Sequence, residues 1–69
     1  MSVARVTEIS ATSPESFEDA IKEGIERASK TLRNIESAWV KDSNVMVENG
    51  SVSGYKVNMA VTFMLEDDS

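Results

Sequence analysis

The sequence predicts an α+β fold in which one helix packs on a three-stranded antiparallel sheet, in the order strand, helix, strand, strand. Three observations predict it. A β-branched segment opens the chain, an amphipathic segment with helical spacing follows, and an Asn-Gly dipeptide separates two later stretches with strand periodicity. The 69 residues suffice for one domain, which we place at residues 1–66, followed by an acidic tail at residues 67–69.

The first strand is predicted from Ser2 to Ala11, which read SVARVTEISA. β-Branched residues are frequent in this segment, and apolar and polar side chains partly alternate, which is typical of a strand with one dry face. The chain offers one helix, so we expect that helix to cover one face of the sheet and to leave the other face open.

The helix is predicted from the segment TSPESFEDAIKEGIERASKTLRNI. Ser13 is expected to cap it and Pro14 to take its first position, where the missing N–H of proline costs nothing. Lys30 and Arg33 would lie near its end, where the helix dipole favours positive charge, and Gly24 would allow close packing against the sheet. The apolar side chains have the i, i+3, i+4 spacing of a single buried stripe, at Phe17, Ala20, Ile21, Ile25, Ala28 and Leu32.

A β-hairpin is predicted around Asn49-Gly50, because both residues tolerate the positive φ of a type I′ turn. Before the turn, the segment SAWVKDSNVMVE is predicted to be the partner strand, and its apolar phase slips near Asp42-Ser43-Asn44, which indicates a bulge or bend. After the turn, apolar residues recur at every second position, which predicts a long strand whose apolar face lies under the helix. These residues are Tyr55, Val57, Met59, Val61, Phe63 and Leu65.

The only tryptophan, Trp39, lies in the strand before the turn, and the face that it occupies decides its role. Counting back from a two-residue turn pairs residue 39 with 60, 37 with 62 and 41 with 58. On this register, which we adopt, Trp39 lies on the face away from the helix, whereas a one-residue bulge would turn it into the core. On the open face an indole needs another cover. That cover is either a second subunit or a flat aromatic ligand, and both hold if the ligand sits where subunits meet.

Composition limits the partners. The chain carries 7 Lys and Arg residues against 12 Asp and Glu residues, with a net charge of −5 and a pI near 4.5, so it lacks the basic face that a nucleic-acid binder needs. No segment resembles a signal peptide or is long enough to span a bilayer, which predicts a cytoplasmic protein with no membrane partner. A chain of this size builds a small core, and without cysteine for disulfides we expect self-association to stabilise it.

The residue types needed for much catalytic chemistry are missing. The sequence has no histidine and no cysteine, so it has no Ser-His or Cys-His pair and lacks the usual ligands of a zinc or haem site. It has neither a Gly-x-Ser-x-Gly elbow nor a phosphate-binding glycine loop. We therefore predict a binding protein rather than an enzyme, and we assign no catalytic and no metal-ligating residues.

Three segments, VTEISATSPESFEDAI, ERASKTLRNI and YKVNMAVTFMLED, resemble the dodecins, and with the Asn-Gly hairpin they cover nearly the whole chain. The resemblance implies a three-stranded antiparallel sheet partly wrapped around the helix, and twelve such subunits in a hollow shell of cubic symmetry. Dodecins are known as flavin-binding proteins that store or buffer their ligand and are not regarded as enzymes. We therefore expect a homododecamer that binds a small molecule of the riboflavin or FMN type.

The resemblance also assigns candidate flavin contacts, and two positions differ from flavin-binding members. In those members a tryptophan after the helix connector stacks on the ring, and that position is Ser37 here, whereas Trp39 takes the place of a family glutamate. The family's ring-binding glutamine falls on Lys56, which as a point charge would favour FMN over riboflavin. Trp39 lies two residues from Ser37, on the same face and about 6.6 Å away. The expectation is a displaced stacking site formed by Trp39, Ser37 and Lys56, with loss of the flavin site as the alternative.

A second branch of the family lacks the flavin residues, and calcium is associated with some of its members. Calcium needs several oxygen ligands, and this chain has no EF-hand loop, so acidic residues would have to meet at a symmetry axis. The candidates are Glu8, Asp42, Glu48, Glu66 and Asp67. A solvated surface position is the simpler interpretation of each. The alternative to a flavin store is therefore an assembly in which Trp39 is a subunit contact and calcium or another ion is bound.

Overall fold

The structure, a computed structural model, describes residues 3–65 and confirms the predicted β-α-β-β order. The elements are β1 (Ala4–Ser13), α1 (Phe17–Ala28), β2 (Ile35–Glu48) and β3 (Ser51–Met64). They form one antiparallel sheet in the order β1-β3-β2, and α1 packs on β1 and β3. The predicted strand start at Ser2 and the predicted tail at residues 67–69 lie outside the described residues. Within residues 3–65, no helix is both long enough and apolar enough to span a membrane.

The helix begins three residues later than the sequence predicted. Ser16, not Ser13, is the N-cap, because its backbone is extended (φ −171°, ψ 166°) and its hydroxyl accepts a hydrogen bond from the Asp19 N–H at 2.9 Å. Ser13 is the last residue of β1 and makes a separate turn, accepting from the Glu15 N–H at 3.0 Å and donating to Asp19 Oδ2 at 2.6 Å. Pro14 therefore lies in the turn before the helix and not in its first position.

The helix also ends earlier than predicted, at Ala28, with Ser29 as the C-cap. The Ser29 hydroxyl donates to the carbonyl four residues earlier at 2.8 Å, a local bond that competes with regular helix. Lys30 and Arg33, predicted near the helix end, lie one and four residues beyond this C-cap, and Arg27 is the basic residue in the last turn. Leu32 likewise lies in the connector and not on the helical stripe.

The core lies between α1 and the sheet, where the apolar stripe predicted it. Ala20 of the helix and Val57 and Met59 of β3 are fully buried. The Phe17 ring meets Tyr55 edge to face, with ring centroids 5.1 Å apart. Partly buried apolar residues complete the cluster at Ile9, Ala11, Ile21 and Ile25.

Gly24 lets the helix approach the sheet closely, as predicted. A Cβ atom at this position would lie 2.9 Å from the Cβ of Ala11 and 3.0 Å from the Cε of Met59. Both distances are shorter than van der Waals contact, so any larger side chain would push α1 away from β1 and β3. The close contact offsets the helix-propensity cost of glycine, which is about 1 kcal/mol relative to alanine.

The hairpin turns at Asn49 and Gly50, as predicted, with φ angles of 52° and 79° that match a type I′ turn. β1 pairs with β3 only as far as Ser13 opposite Tyr55. Residues 46–54 therefore project beyond β1 as two strands without a third, and we call this segment the hairpin arm. It exposes apolar side chains at Met46, Val47 and Val52.

Three irregularities interrupt the pairing of β2 with β3, and two of them offset each other. Ser53 is an extra residue on β3, and Lys41 is an extra residue on β2, one position before the predicted bulge. Because the two shifts have opposite senses, Trp39 pairs with Ala60 as predicted, and the predicted pairing of residues 37 and 62 is also confirmed. The predicted pairing of residues 41 and 58 is wrong, because Asp42 takes the place of Lys41.

Candidate functional site

The sheet face that points away from α1, which we call the open face, carries the candidate site. Side chains alternate between faces along a strand, so the core positions Val57 and Met59 place Asn58 and Ala60 on the open face. The pairing of β3 with its two neighbours arranges this face in rows across the sheet. In order along β3, the rows are Val6, Thr62 and Ser37; Glu8, Ala60 and Trp39; Ser10, Asn58 and Asp42; and Thr12, Lys56 and Asn44.

Trp39 lies on edge strand β2, and 70% of its surface is exposed. The alternative in which a bulge turns it into the core is wrong, because the two bulges cancel and leave Trp39 opposite Ala60. Ala60 is only 8% exposed although no helix formed by residues 3–65 covers this face. An exposed indole beside a small side chain offers a flat apolar surface on which an aromatic ring can stack.

An ion pair crosses β3 beside Ala60. Lys41 Nζ lies 2.6 Å from Glu8 Oε2, although β3 separates their strands. The bulged Lys41 must extend its side chain over the central strand to reach Glu8. The hydrogen bond to Glu8, assisted by the charges of Glu8 and Asp42, raises the pKa of Lys41 above its ordinary value.

A chain of hydrogen bonds crosses the next row. Asn58 Nδ2 donates to Asp42 Oδ1 at 2.6 Å, and the Ser10 hydroxyl donates to Asn58 Oδ1. An ionised carboxylate can only accept hydrogen bonds, so Asp42 determines which end of the amide faces β2. The Asn58 amide is therefore held from both sides in a single orientation.

The structure places the three predicted contact residues on the open face but does not bring all three together. Ser37 lies one row from Trp39 on the same strand, as the alternation predicted. Lys56 lies on the same face, two rows from Trp39 in the direction opposite to Ser37, which is roughly 13 Å along the strand at about 3.3 Å per residue. The row of Asn58 lies between them, so Trp39 and Lys56 are not neighbours.

Within residues 3–65, the acids considered for calcium do not gather. Glu8 and Asp42 are each held by a side chain of another strand, and Glu48 ends β2 beside the hairpin turn. Glu66 and Asp67 lie outside the described residues. Among residues 3–65, no group of three or more Asp, Glu, His or Cys side chains is close enough to hold a metal ion.

Three residues whose side chains form hydrogen bonds across this face were not predicted as site residues: Ser10, Lys41 and Asn58. Their relevance depends on which side chains face one another across three strands. The alternation along β3 indicated that Asn58 points away from the core. Its contact with Asp42, however, follows from the bulge at Lys41, which the sequence did not locate.

Comparison with known proteins adds the family. A family model described as Dodecin matches residues 3–66. The chain belongs to the dodecin family. Two relatives each align with 94% of the chain. The calcium dodecin of Mycobacterium tuberculosis is 32% identical over 92% of its own length, and the dodecin of Thermus thermophilus is 35% identical over 94% of its own length.

Solved dodecin structures share the fold over nearly all of the chain. Dodecin from Streptomyces davaonensis has a TM-score of 0.92 at 38% identity, covering 96% of this chain and 97% of that one. The calcium-chelating immunodominant antigen of Mycobacterium tuberculosis, a calcium dodecin with a novel calcium-binding site, has a TM-score of 0.81 at 29% identity, covering 97% and 96%. The predicted dodecin fold is therefore confirmed. The family that matches the chain is not an enzyme family.

Proposed function

We propose that this dodecin is a non-catalytic shell subunit that binds and stores a flat aromatic ligand, with the ring of riboflavin or FMN as the leading candidate. One observation carries the proposal. The only tryptophan of the chain, Trp39, is 70% exposed on a face that no helix in the described part of the chain covers. A large aromatic surface held in water is unfavourable, so Trp39 is expected to be covered in the working protein.

Stacking on one indole supplies only part of the binding free energy. A buried tryptophan removes roughly 150–250 Å² from water, and covering half of that area contributes about 2–3 kcal/mol at about 25 cal/mol per Å². Aromatic geometry adds about 1 kcal/mol, whereas a micromolar Kd needs about 8 kcal/mol. We therefore place the ligand between Trp39 residues of two subunits, with polar contacts from the open face.

Self-association is part of the proposal, with twelve copies in the shell. The radius of gyration is 14.4 Å, compared with about 11 Å for a compact domain of this length. The extra length comes from the hairpin arm, which exposes Met46 and Val47. On β2, the helix-side residues Val40 and Val45 are also uncovered, because α1 packs on the other two strands. These apolar surfaces need a cover, and copies of the same chain are the cover that we propose.

A second candidate is an assembly in which Trp39 is a subunit contact and calcium or another ion is bound. It is supported by the relative named calcium dodecin, at 32% identity, and by the net charge of −5 per subunit, which favours cations. Symmetry would have to bring acids of different subunits together, because residues 3–65 of one chain form no metal-sized group of acids.

The test is a fluorescence titration of the assembled protein after bound ligand has been stripped. Trp39 is the only tryptophan, so the tryptophan emission reports on this site alone. Saturable mutual quenching of tryptophan and flavin at micromolar riboflavin or FMN is the expected result. In Trp39→Leu, the quenching of flavin emission should disappear. Tighter binding of FMN than of riboflavin would support a phosphate contact from Lys56.

A negative titration is equally informative. Absence of quenching in a sample shown by light scattering to be assembled would refute the flavin proposal. Calcium titration by calorimetry then tests the second candidate. Heat of binding that saturates with calcium would support that candidate, and no heat would argue against calcium as its ion.

A further inference from the structure

We infer that Asn58, rather than Lys56, forms hydrogen bonds with the polar edge of the stacked ring. The site would thereby select a ring edge with an N–H beside a C=O, as in an imide. The inference rests on the proposed function and specifies the chemistry of the ligand. It comes from the row geometry of the open face and from the hydrogen bonds that hold Asn58.

The row geometry puts Asn58 within reach of the ring. Asn58 lies one row from Ala60 and Trp39 along the strand, which is roughly 7 Å. A tricyclic ring stacked on Trp39 and directed toward this row is longer than the row spacing, so its edge reaches Asn58. Lys56 lies one row farther and would have to extend its side chain across the row of Asn58.

The remaining hydrogen-bonding capacity of Asn58 matches an imide edge. A carboxamide has two donor hydrogens and an oxygen with two lone pairs. Asp42 takes one hydrogen and Ser10 takes one lone pair, so one donor and one acceptor are left. A ring C=O can accept from the first, and the adjacent ring N–H can donate to the second. Because the amide is held on both sides, little conformational freedom is lost on binding.

The neighbouring cations are poorer candidates for this role. A lysine ammonium group has three donors and no acceptor, so neither Lys41 nor Lys56 can accept a hydrogen bond from a ring N–H. Lys41 is moreover already paired with Glu8. An acceptor is needed to distinguish a ring N–H from a blocked ring nitrogen, and a donor is needed for the adjacent C=O; the Asn58 carboxamide offers both.

The experiment compares riboflavin with N3-methylriboflavin, whose ring N–H is blocked, in the assembled wild-type protein and its variants. The wild type should bind riboflavin about tenfold more tightly, the effect expected for one hydrogen bond. In Asn58→Ala this preference should fall to near unity, whereas a purely structural role for Asn58 would weaken both ligands alike. Asn44→Ala is the matched control on the same face and should leave the preference unchanged.

Each outcome bears on the inference. An unchanged preference in Asn58→Ala, or a preference lost in Lys56→Met, would overturn it while leaving the proposed function intact. Equal binding of both flavins by the wild type would overturn the inference but not the proposed function. Binding of neither flavin would overturn both. If Asn58→Ala does not assemble, Ser10→Ala frees one side of the amide and should reduce the preference, and an unreduced preference there would contradict the inference.

Discussion

Lys41 Nζ lies 2.6 Å from Glu8 Oε2, so one ion pair joins the two edge strands, which are not neighbours in the sheet. Both side chains are at least partly exposed, and exposed pairs stabilise proteins weakly. The effect of this pair is mainly geometric. It holds the stem of Lys41 across β3 beside Ala60 and so forms one border of the surface next to Trp39.

Replacing Lys41 with methionine should lower the melting temperature slightly and remove one source of pH dependence. The hydrogen bond to Glu8 raises the pKa of Lys41 in the folded state. The contribution of this pair to folding stability is therefore complete below the ordinary lysine pKa of 10.5 and is lost as the pH rises through the raised pKa. We expect the difference in melting temperature between wild type and variant to be constant from about pH 7 to about pH 10 and to shrink above it.

The control for this prediction is Lys30→Met, which removes an exposed lysine from the connector after α1. It should show no comparable change with pH relative to the wild type. A difference between wild type and Lys41→Met that grows above about pH 10 would contradict the assigned direction of the pKa shift.

Gly50→Val should destabilise the protein through the backbone alone. A Cβ at Gly50 meets no atom within 4 Å, but the φ of 79° is unfavourable for a β-branched residue. The expected loss is about 1–2 kcal/mol, measured by urea unfolding at fixed protein concentration. Ser51→Val adds the same side chain one residue later, at strand backbone, and should cost less. Unchanged unfolding of Gly50→Val would argue against the type I′ turn.

The sequence predicted the position of Trp39 correctly but for an incomplete reason. Counting residues back from Asn49-Gly50 assumes an uninterrupted ladder, and the real ladder gains one residue on β3 at Ser53 and one on β2 at Lys41. The errors cancel at Trp39 and do not cancel between the two bulges. Periodicity and turn chemistry therefore predicted the face of Trp39, whereas the pairing near Asp42 depends on where the two bulges lie.

The helix boundaries show a different limit. Ser13 and Ser16 are both good caps, and Ser13-Pro14 imitates a helix start. The choice depends on tertiary structure, because β1 extends to Ser13 through its pairing with β3, and the Ser13 hydroxyl is held by Asp19. The candidate site has the same limit, since Asn58 becomes noticeable only once Ser10 and Asp42 are known to flank it.

Gly24→Ala should destabilise the protein even though alanine favours helices. The gain in helix propensity is about 1 kcal/mol, but the new methyl group would lie 2.9 Å from the Cβ of Ala11, which cannot rotate away. Overpacking of this kind costs about 1–3 kcal/mol, so we expect a net loss in the free energy of unfolding. Lys22→Ala, on the exposed side of α1, should change it by less than about 0.5 kcal/mol. A stabilised Gly24→Ala would show that α1 can shift away from the sheet without cost.

Val47→Asp should shift the assembly toward smaller species. Val47 is 64% exposed in one chain, so the substitution buries no charge within the subunit and opposes only contacts between copies. An apolar side chain of this size contributes about 1.5–3 kcal/mol when buried, and an unpaired carboxylate in the same place costs several kcal/mol. Native mass spectrometry and light scattering over a concentration series measure the effect.

The matched control for the hairpin arm is Asn49→Asp, which adds the same charge at a turn position whose φ of 52° aspartate tolerates. It should assemble like the wild type, so that a loss seen only in Val47→Asp reflects the apolar surface and not the net charge. If Val47→Asp forms the same species as the control at every concentration, the arm does not contribute to subunit contacts. The cover for the chain's exposed apolar surface would then have to lie on β2 and on the open face around Trp39.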